Sequence, residues 1–180
     1  MPIGSRRFIP TKPLSLLGEM MRPSPLHILP LVLLASPAGA QVRLSSGDQA
    51  AAFRAAGFSQ VGRHWRSCED PGTAGYSPGR IEQVEDLNGD GRPEAIISEG
   101  SAFCYGRHEV GFSLVSKQTD SSWRAIFASE GIAHILPTRG SGGWPDIEIR
   151  GPGFCFPVRR WNGAAYEILR FQYEGTTCTP

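Results

Sequence analysis

The chain of 180 residues lacks the motifs that mark several common functional classes. It has no Gly-x-Ser-x-Gly elbow, no His-Glu-x-x-His motif and no glycine loop placed to cradle a phosphate ahead of a helix. Basic residues are not clustered and the formal net charge is only +1. A nucleic-acid-binding face, which would be clustered and basic, is therefore not expected. No hydrophobic run reaches the ~20 residues that span a bilayer, so we expect no stable membrane anchor.

Residues 1–40 have the pattern of an N-terminal extension and signal peptide. An apolar run is followed by Ala38 and Ala40, which form the small-x-small signature of a cleavage site. We expect cleavage after Ala40 and export to the periplasm or the medium. A true start at Met21 would give a signal peptide of conventional length. The remaining residues, 41–180, have the length of one domain, which we expect to be monomeric.

One short segment carries the chemistry of a metal site. Residues 86–94 present side-chain oxygens at positions one, three, five and nine, with Gly91 where the backbone turns sharply. The carbonyl of Arg92, at position seven, is a natural backbone ligand. Ca²⁺ takes six to eight oxygen ligands, and a tight loop of alternating side chains can direct several of them to one centre. The predicted ligands of a structural Ca²⁺ are Asp86, Asn88, Asp90, Arg92 and Glu94.

The loop is not an EF-hand, and a metal-free alternative remains open. An EF-hand needs a bidentate acid at position twelve, where this chain has Ile97, and its loop lies between helices. Here residues 81–85 and 95–98 both show the patterns of β-strands. The alternative is a hydrated turn without metal, because Asn-Gly and Asp-Gly favour turns by themselves. Three acidic side chains would then repel one another within one small loop.

A loop of this kind, followed by a β-branched strand, resembles the calcium loops of FG-GAP and VCBS repeats, the blade units of some β-propellers. The resemblance covers roughly residues 80–126 and includes the apolar pair Ile96 and Ile97. It implies that a structural Ca²⁺ fixes the start of a strand. Two departures are Glu94, where Asp is commoner, and the lack of a clear FG-GAP signature upstream.

The second half of the chain echoes the first. Residues 91–97 match 143–149, and the two units extend over about 80–128 and 138–173. Only the acid at position nine, Asp146, survives in the second loop, so we expect no ion there. Two blade-like units cannot close a propeller. We predict a mainly β fold of compact antiparallel sheets, packed face to face, with one short N-terminal helix and disulfide crosslinks.

The predicted helix follows a capping-box pattern. Ser46 is the expected N-cap, with Gln49 at position N3, and Gly57 is expected to end the helix.

The four cysteines, Cys68, Cys104, Cys155 and Cys178, predict two disulfides in an exported protein. Three connectivities are possible. Cys104 and Cys155 occupy equivalent places in the two units, which favours pairing them and leaves Cys68 with Cys178. Zinc binding is the competing interpretation, but no Cys-x-x-Cys spacing is present.

Two functional classes fit these patterns. The first is an exported, non-catalytic module, stabilised by Ca²⁺ and disulfides, that binds a protein or a glycan in the cell envelope. The alternative is a small periplasmic hydrolase, or an inhibitor of one, with its site in the loops at 105–109 and 151–154. An aromatic cluster is expected to pack in the core, and a sugar- or peptide-binding platform is the alternative. Its members are Trp144, Phe154, Phe156, Trp161 and Tyr166.

Overall fold

The computed structural model describes residues 43–180. The predicted signal peptide and its cleavage site lie outside the described residues. No helix within 43–180 is both long enough and apolar enough to cross a membrane. The α-helices are α1 (Ser46–Ala55) and α2 (Ala102–Tyr105), and short 3-10 helices cover Gly106–His108 and Ser141–Gly143. The strands are β1 (Ser59–Val61), β2 (His64–Arg66), β3 (Ser77–Glu85), β4 (Glu94–Gly100), β5 (Val110–Lys117), β6 (Trp123–Glu130), β7 (Ile132–Arg139), β8 (Pro145–Arg150), β9 (Phe156–Trp161), β10 (Tyr166–Tyr173) and β11 (Thr176–Thr177).

The strands form two antiparallel sheets in which chain neighbours pair with each other. The first sheet has six strands in the order β1 to β6, and the second has five in the order β11 to β7. The chain passes from one sheet to the other between β6 and β7, at Gly131. The predicted class, mainly β with two antiparallel sheets, a short helix and disulfides, is confirmed.

The main core lies between the two sheets. Ile96 of β4 and Leu114 of β5 pack in one cluster with Trp144 and with Ile147 of β8. Tyr166 is buried in the same cluster, and Trp161 packs against it. Of the aromatic side chains predicted to be core, Phe154 is instead exposed, and Phe156 is half-buried outside the cluster.

A second core lies on the opposite face of the first sheet, under α1. Because side chains alternate along a strand, Ala95 and Ile97 of β4 point away from the second sheet and pack against Phe53 of the helix. Phe53 also stacks on Trp65, with ring centroids 4.9 Å apart. The layers are thus helix, six-stranded sheet and five-stranded sheet.

The capping of α1 is displaced by one residue from the prediction. The N-cap is Ser45, not Ser46, and its hydroxyl accepts a hydrogen bond from the amide of Asp48. Gln49 instead donates from its side chain to the carbonyl of Leu44. The helix ends as expected, with Gly57 at a positive φ of 86°.

The predicted disulfide pairing was wrong. The bonds join Cys68 to Cys104 and Cys155 to Cys178, with Cα–Cα distances of 6.2 and 5.9 Å. The repeat places Cys104 beside the first sheet and Cys155 beside the second. Because the two repeat units form different sheets, their equivalent cysteines lie apart. Cys104 pairs with Cys68 beside the first sheet, and Cys155 pairs with Cys178 beside the second. Two disulfides are typical of proteins in an oxidising compartment.

Candidate functional site

The predicted metal loop connects β3 to β4, as its strand-like flanks indicated. Its backbone winds around the carboxylate of Asp86, which accepts hydrogen bonds from the amides of Gly89 (2.8 Å), Asp90 (3.1 Å) and Gly91 (2.8 Å). Gly91 has a positive φ of 83°, a backbone conformation that suits glycine. The first predicted ligand is therefore also the group that orders the turn.

Three further predicted ligands meet on one side of this loop. The Nδ2 group of Asn88 lies 3.1 Å from Oδ2 of Asp90 and 3.5 Å from Oε1 of Glu94. Arg92, expected to contribute its carbonyl, directs its guanidinium Nη2 to the same Oδ2 of Asp90, at 2.6 Å. An amide and a guanidinium thus donate to the oxygens that the sequence assigns to a cation.

Glu94 is the most unusual of these residues because its side chain is fully buried. Its carboxylate accepts hydrogen bonds from the amide of Leu87 (2.8 Å) and the hydroxyl of Ser116 (2.7 Å). Burial raises the pKa of Glu94, and the nearby charge of Asp90 raises it further, against those two hydrogen bonds. Among the ion pairs of residues 43–180, none includes Glu94.

The equivalent acid of the second unit, Asp146, has a different environment. It is also fully buried, but Arg160 donates to both of its oxygens at 2.8 Å and Thr138 donates at 2.6 Å. Burial alone would raise the pKa of Asp146, but the hydrogen bonds from Arg160 and Thr138, with the charge of Arg170, bring it below its ordinary value. The second unit therefore neutralises its acid with an arginine, whereas Glu94 lacks a cationic partner.

The residues of the loop fit a hard cation after two local changes. No group of three or more His, Cys, Asp or Glu side chains within 43–180 is gathered closely enough to hold a metal ion. The loop offers instead carboxylates, a side-chain amide and backbone carbonyls, which are the ligands that Ca²⁺ accepts. A half-turn of the Asn88 amide would present Oδ1 in place of Nδ2, with loss of the hydrogen bond that Oδ1 accepts from the Asp90 amide at 2.9 Å. Arg92 would also have to release Asp90.

The loop also rests directly on the second sheet. Arg139 of β7 donates from Nη1 to the carbonyl of Leu87 and to that of Gly143, the latter at 2.7 Å. Leu87 itself is buried in the core between the sheets. Arg139 thus bridges the predicted metal loop and the equivalent loop of the second unit.

The loops predicted for the alternative site are brought together. A β-carbon built on Gly151 would lie 2.6 Å from Nδ1 of His108, so the imidazole lies against the second loop. No hydrogen bond in the described part of the chain joins His108 to a serine, threonine or cysteine. Phe154, in the same loop, is 78% exposed and meets Tyr173 edge to face, with centroids 6.0 Å apart.

Sequence reasoning missed a buried polar cluster around Glu99. This carboxylate, 1% exposed, accepts hydrogen bonds from the hydroxyls of Tyr76 and Tyr105, both at 2.9 Å, and from the amides of Ser67 (3.2 Å) and Cys68 (3.0 Å). The one signal in the sequence was the position of Glu99, which lies on the same face of β4 as the apolar residues Ala95 and Ile97.

Comparisons with protein-family models, with curated proteins and with solved structures found no match for this chain.

Proposed function

We propose that the protein is an exported, non-catalytic module whose loop at residues 86–94 binds a structural Ca²⁺ and whose surface binds a protein or glycan of the cell envelope. The resemblance to FG-GAP and VCBS calcium loops belongs to this proposal. The two disulfides and the signal-peptide pattern support export.

The observation that carries the calcium proposal is the contrast between the two buried acids. Asp146 receives two hydrogen bonds from Arg160, while Glu94 has Asp90 as its charged neighbour and no basic partner. A buried carboxylate without a countercharge is unfavourable unless it is protonated or meets a cation. A divalent ion beside Asp90 and Glu94 would supply that charge. When bound, Ca²⁺ would neutralise the loop and fix the start of β4.

Calorimetry tests the proposal. The mature domain, Asp86→Ala and Asp90→Ala are titrated with Ca²⁺ and also melted in Ca²⁺ and in chelator. A ligand at about 100 times its Kd adds roughly 2.7 kcal/mol to the free energy of unfolding. We expect a gain of this order in the wild type and none in either variant. Asp120→Ala is the matched control, because Asp120 lies in an exposed hairpin loop and bonds only to Ser122. Equal melting in Ca²⁺ and in chelator would overturn the proposal.

Exposed aromatic side chains support the binding role. Phe103 and Phe154 precede the equivalent cysteines Cys104 and Cys155, and they are 65% and 78% exposed. Aromatic side chains are enriched in the contact surfaces of proteins. We expect Phe154→Ala to weaken binding to an envelope glycan or protein without changing the melting temperature.

The hydrolase alternative is favoured by one contact, that of His108 with the loop of Gly151. Assays on ester, peptide and glycoside substrates test it, and we expect no turnover. Turnover in the wild type that His108→Ala abolishes would establish the alternative.

A further inference from the structure

A cleft of about 360 Å³ opens on the helix-facing side of the first sheet, beyond the end of the core under α1. Small residues of β5 and β6, Gly111, Ser113 and Ala128, contribute to its lining. Ser67 and Tyr105 line it beside the Cys68–Cys104 disulfide, and Glu130 lines it at the end of β6.

The strand register places two carboxylates on this face. Gly111 pairs with Glu99 on one side and with Glu130 on the other, so the three residues lie in a row across β4, β5 and β6. Paired residues of adjacent antiparallel strands point to the same side of the sheet. The ring of Tyr105 covers Gly111 so closely that a β-carbon there would lie 2.3 Å from its Cε1. An aromatic ring therefore stands between the two acids.

Glu99 fixes the direction of the hydrogen bonds in the wall of the cleft. The hydroxyls of Ser67 and Tyr105 both donate to Oε2 of Glu99. Burial raises the pKa of Tyr105 to about 12, with the hydrogen bond to Glu99 acting in the same direction, so its hydroxyl keeps its proton at neutral pH. The lone pairs of both oxygens remain to accept hydrogen bonds from a ligand.

The charge of the cleft is also of one sign. Its lining residues include Glu130 and no lysine, arginine or histidine. Within the described chain, neither Glu99 nor Glu130 takes part in an ion pair. A site built of acceptors, negative charge and an aromatic ring favours a cation that donates hydrogen bonds.

We propose that this cleft binds a primary ammonium or guanidinium group, carried by a free alkylamine or by a basic side chain of a partner. The volume of about 360 Å³ is large enough to admit such a group. The inference rests on the proposed binding role, whose partner chemistry it specifies, and is independent of the calcium loop.

Amide chemical shifts measured during titration test the inference. The probes are n-butylammonium and n-butylguanidinium, with n-butanol and n-butylurea as neutral counterparts of similar shape. We expect saturable shifts confined to the amides around Gly111, Ser113 and Ser129, for the cations only. Equal shifts with the neutral probes, or shifts scattered over the surface, would overturn the proposal.

The matched variants are Glu130→Gln and Glu167→Gln. Both residues are exposed glutamates on strands, but Glu167 lies on the second sheet, away from the cleft. We expect Glu130→Gln to weaken cation binding at least threefold and Glu167→Gln to leave it unchanged. Equal affinity in both variants would contradict a role for the cleft.

Two further experiments distinguish a free amine from a partner side chain as the ligand, and the cleft proposal from the calcium proposal. A blocked Ala-Lys-Ala peptide that binds more tightly than n-butylammonium indicates a partner side chain, whereas equal affinity indicates a free amine. Titrating Asp90→Ala in chelator shows whether the cleft works without Ca²⁺, and we expect it to do so. If Asp90→Ala in chelator no longer bound n-butylammonium, the cleft would not be independent of the calcium loop.

Discussion

Gly143 lies so close to Asn88 that a β-carbon on the glycine would be 2.3 Å from the Asn88 carbonyl oxygen. The two residues belong to equivalent loops of the two repeat units. The loop that we propose to bind calcium is therefore fitted against the second sheet with no space for a side chain between them.

Gly143→Ala tests this contact. Gly143 has a φ of 79°, so alanine adds backbone strain as well as the clash. Gly175 is a matched control, since its φ is 80° and no atom lies within 4 Å of a β-carbon built there. Strain alone costs about 1 to 2 kcal/mol, and overpacking adds about 1 to 3 kcal/mol. We expect urea unfolding to show a clearly larger loss for Gly143→Ala than for Gly175→Ala. Equal losses would mean that the loops separate at little cost.

Arg160→Met tests the arginine that neutralises Asp146. Removing it leaves a buried carboxylate without its main partner, and we expect a loss of about 2 kcal/mol because Arg160 itself is partly exposed. Arg80→Met is the control: Arg80 pairs with Glu82 on the surface, where its side chain is 74% exposed, and a pair of that kind is worth about 0.5 kcal/mol.

The same variant should change the pH dependence of unfolding. The pKa of Asp146 is below its ordinary value of 3.8 in the folded protein. Its contribution to stability is therefore present above that value and is lost as the pH falls through the folded pKa. Without Arg160, burial raises the folded pKa of Asp146, so we expect the stability difference between wild type and Arg160→Met to shrink as the pH falls from that raised pKa towards the lower folded pKa of the wild type. A difference that is constant from pH 7 to pH 2 would contradict this role of Asp146.

Glu94→Gln tests whether the negative charge of the buried side chain, rather than its shape, is needed for stabilisation by Ca²⁺. Glutamine can accept the hydrogen bond from the Leu87 amide through Oε1 and donate through Nε2 to the Ser116 hydroxyl, but it cannot neutralise a cation. In chelator we expect the free energy of unfolding to change by no more than about 1 kcal/mol. In Ca²⁺ we expect the variant to gain nothing, whereas the wild type gains. Full Ca²⁺ stabilisation of Glu94→Gln in a melting assay would exclude Glu94 as a ligand.

The disulfides can be read directly from a tryptic digest under non-reducing conditions. We expect residues 67–80 joined to 81–107, and residues 151–159 joined to 171–180. By loop entropy, with sequence separations of 36 and 23, removing the first or the second bond costs about 4 or about 3 kcal/mol. A peptide containing Cys104 joined to one containing Cys155 would refute this pairing.

The layered fold was predictable because its signals are local. The alternation in β3, the β-branched run in β4 and the strong helix formers after Ser45 each lie within a short stretch of sequence. The cysteine pairing was not predictable from local signals, because it depends on the sheet that each repeat unit forms. The sequence repeat suggested that Cys104 and Cys155 are neighbours, but they lie beside different sheets.

The candidate sites also differ in whether local sequence could reveal them. The loop at 86–94 draws its oxygens from nine consecutive residues, so spacing alone revealed it. The donors to Glu99 come from residues 67, 68, 76 and 105, and only the folded chain assembles them. The arginine that neutralises Asp146 is likewise a cross-strand neighbour and could not be identified from the turn sequence.

Each disulfide lies within one half of the chain, and the described halves are joined covalently through Gly131 alone. A cut at that turn would yield two fragments, each containing one disulfide and the strands of one sheet. Their reassociation would depend on side chains packed between the sheets and on the bridge made by Arg139. The protein is thereby suited to fragment complementation, in which reassembly of the halves reports how tightly the sheets adhere.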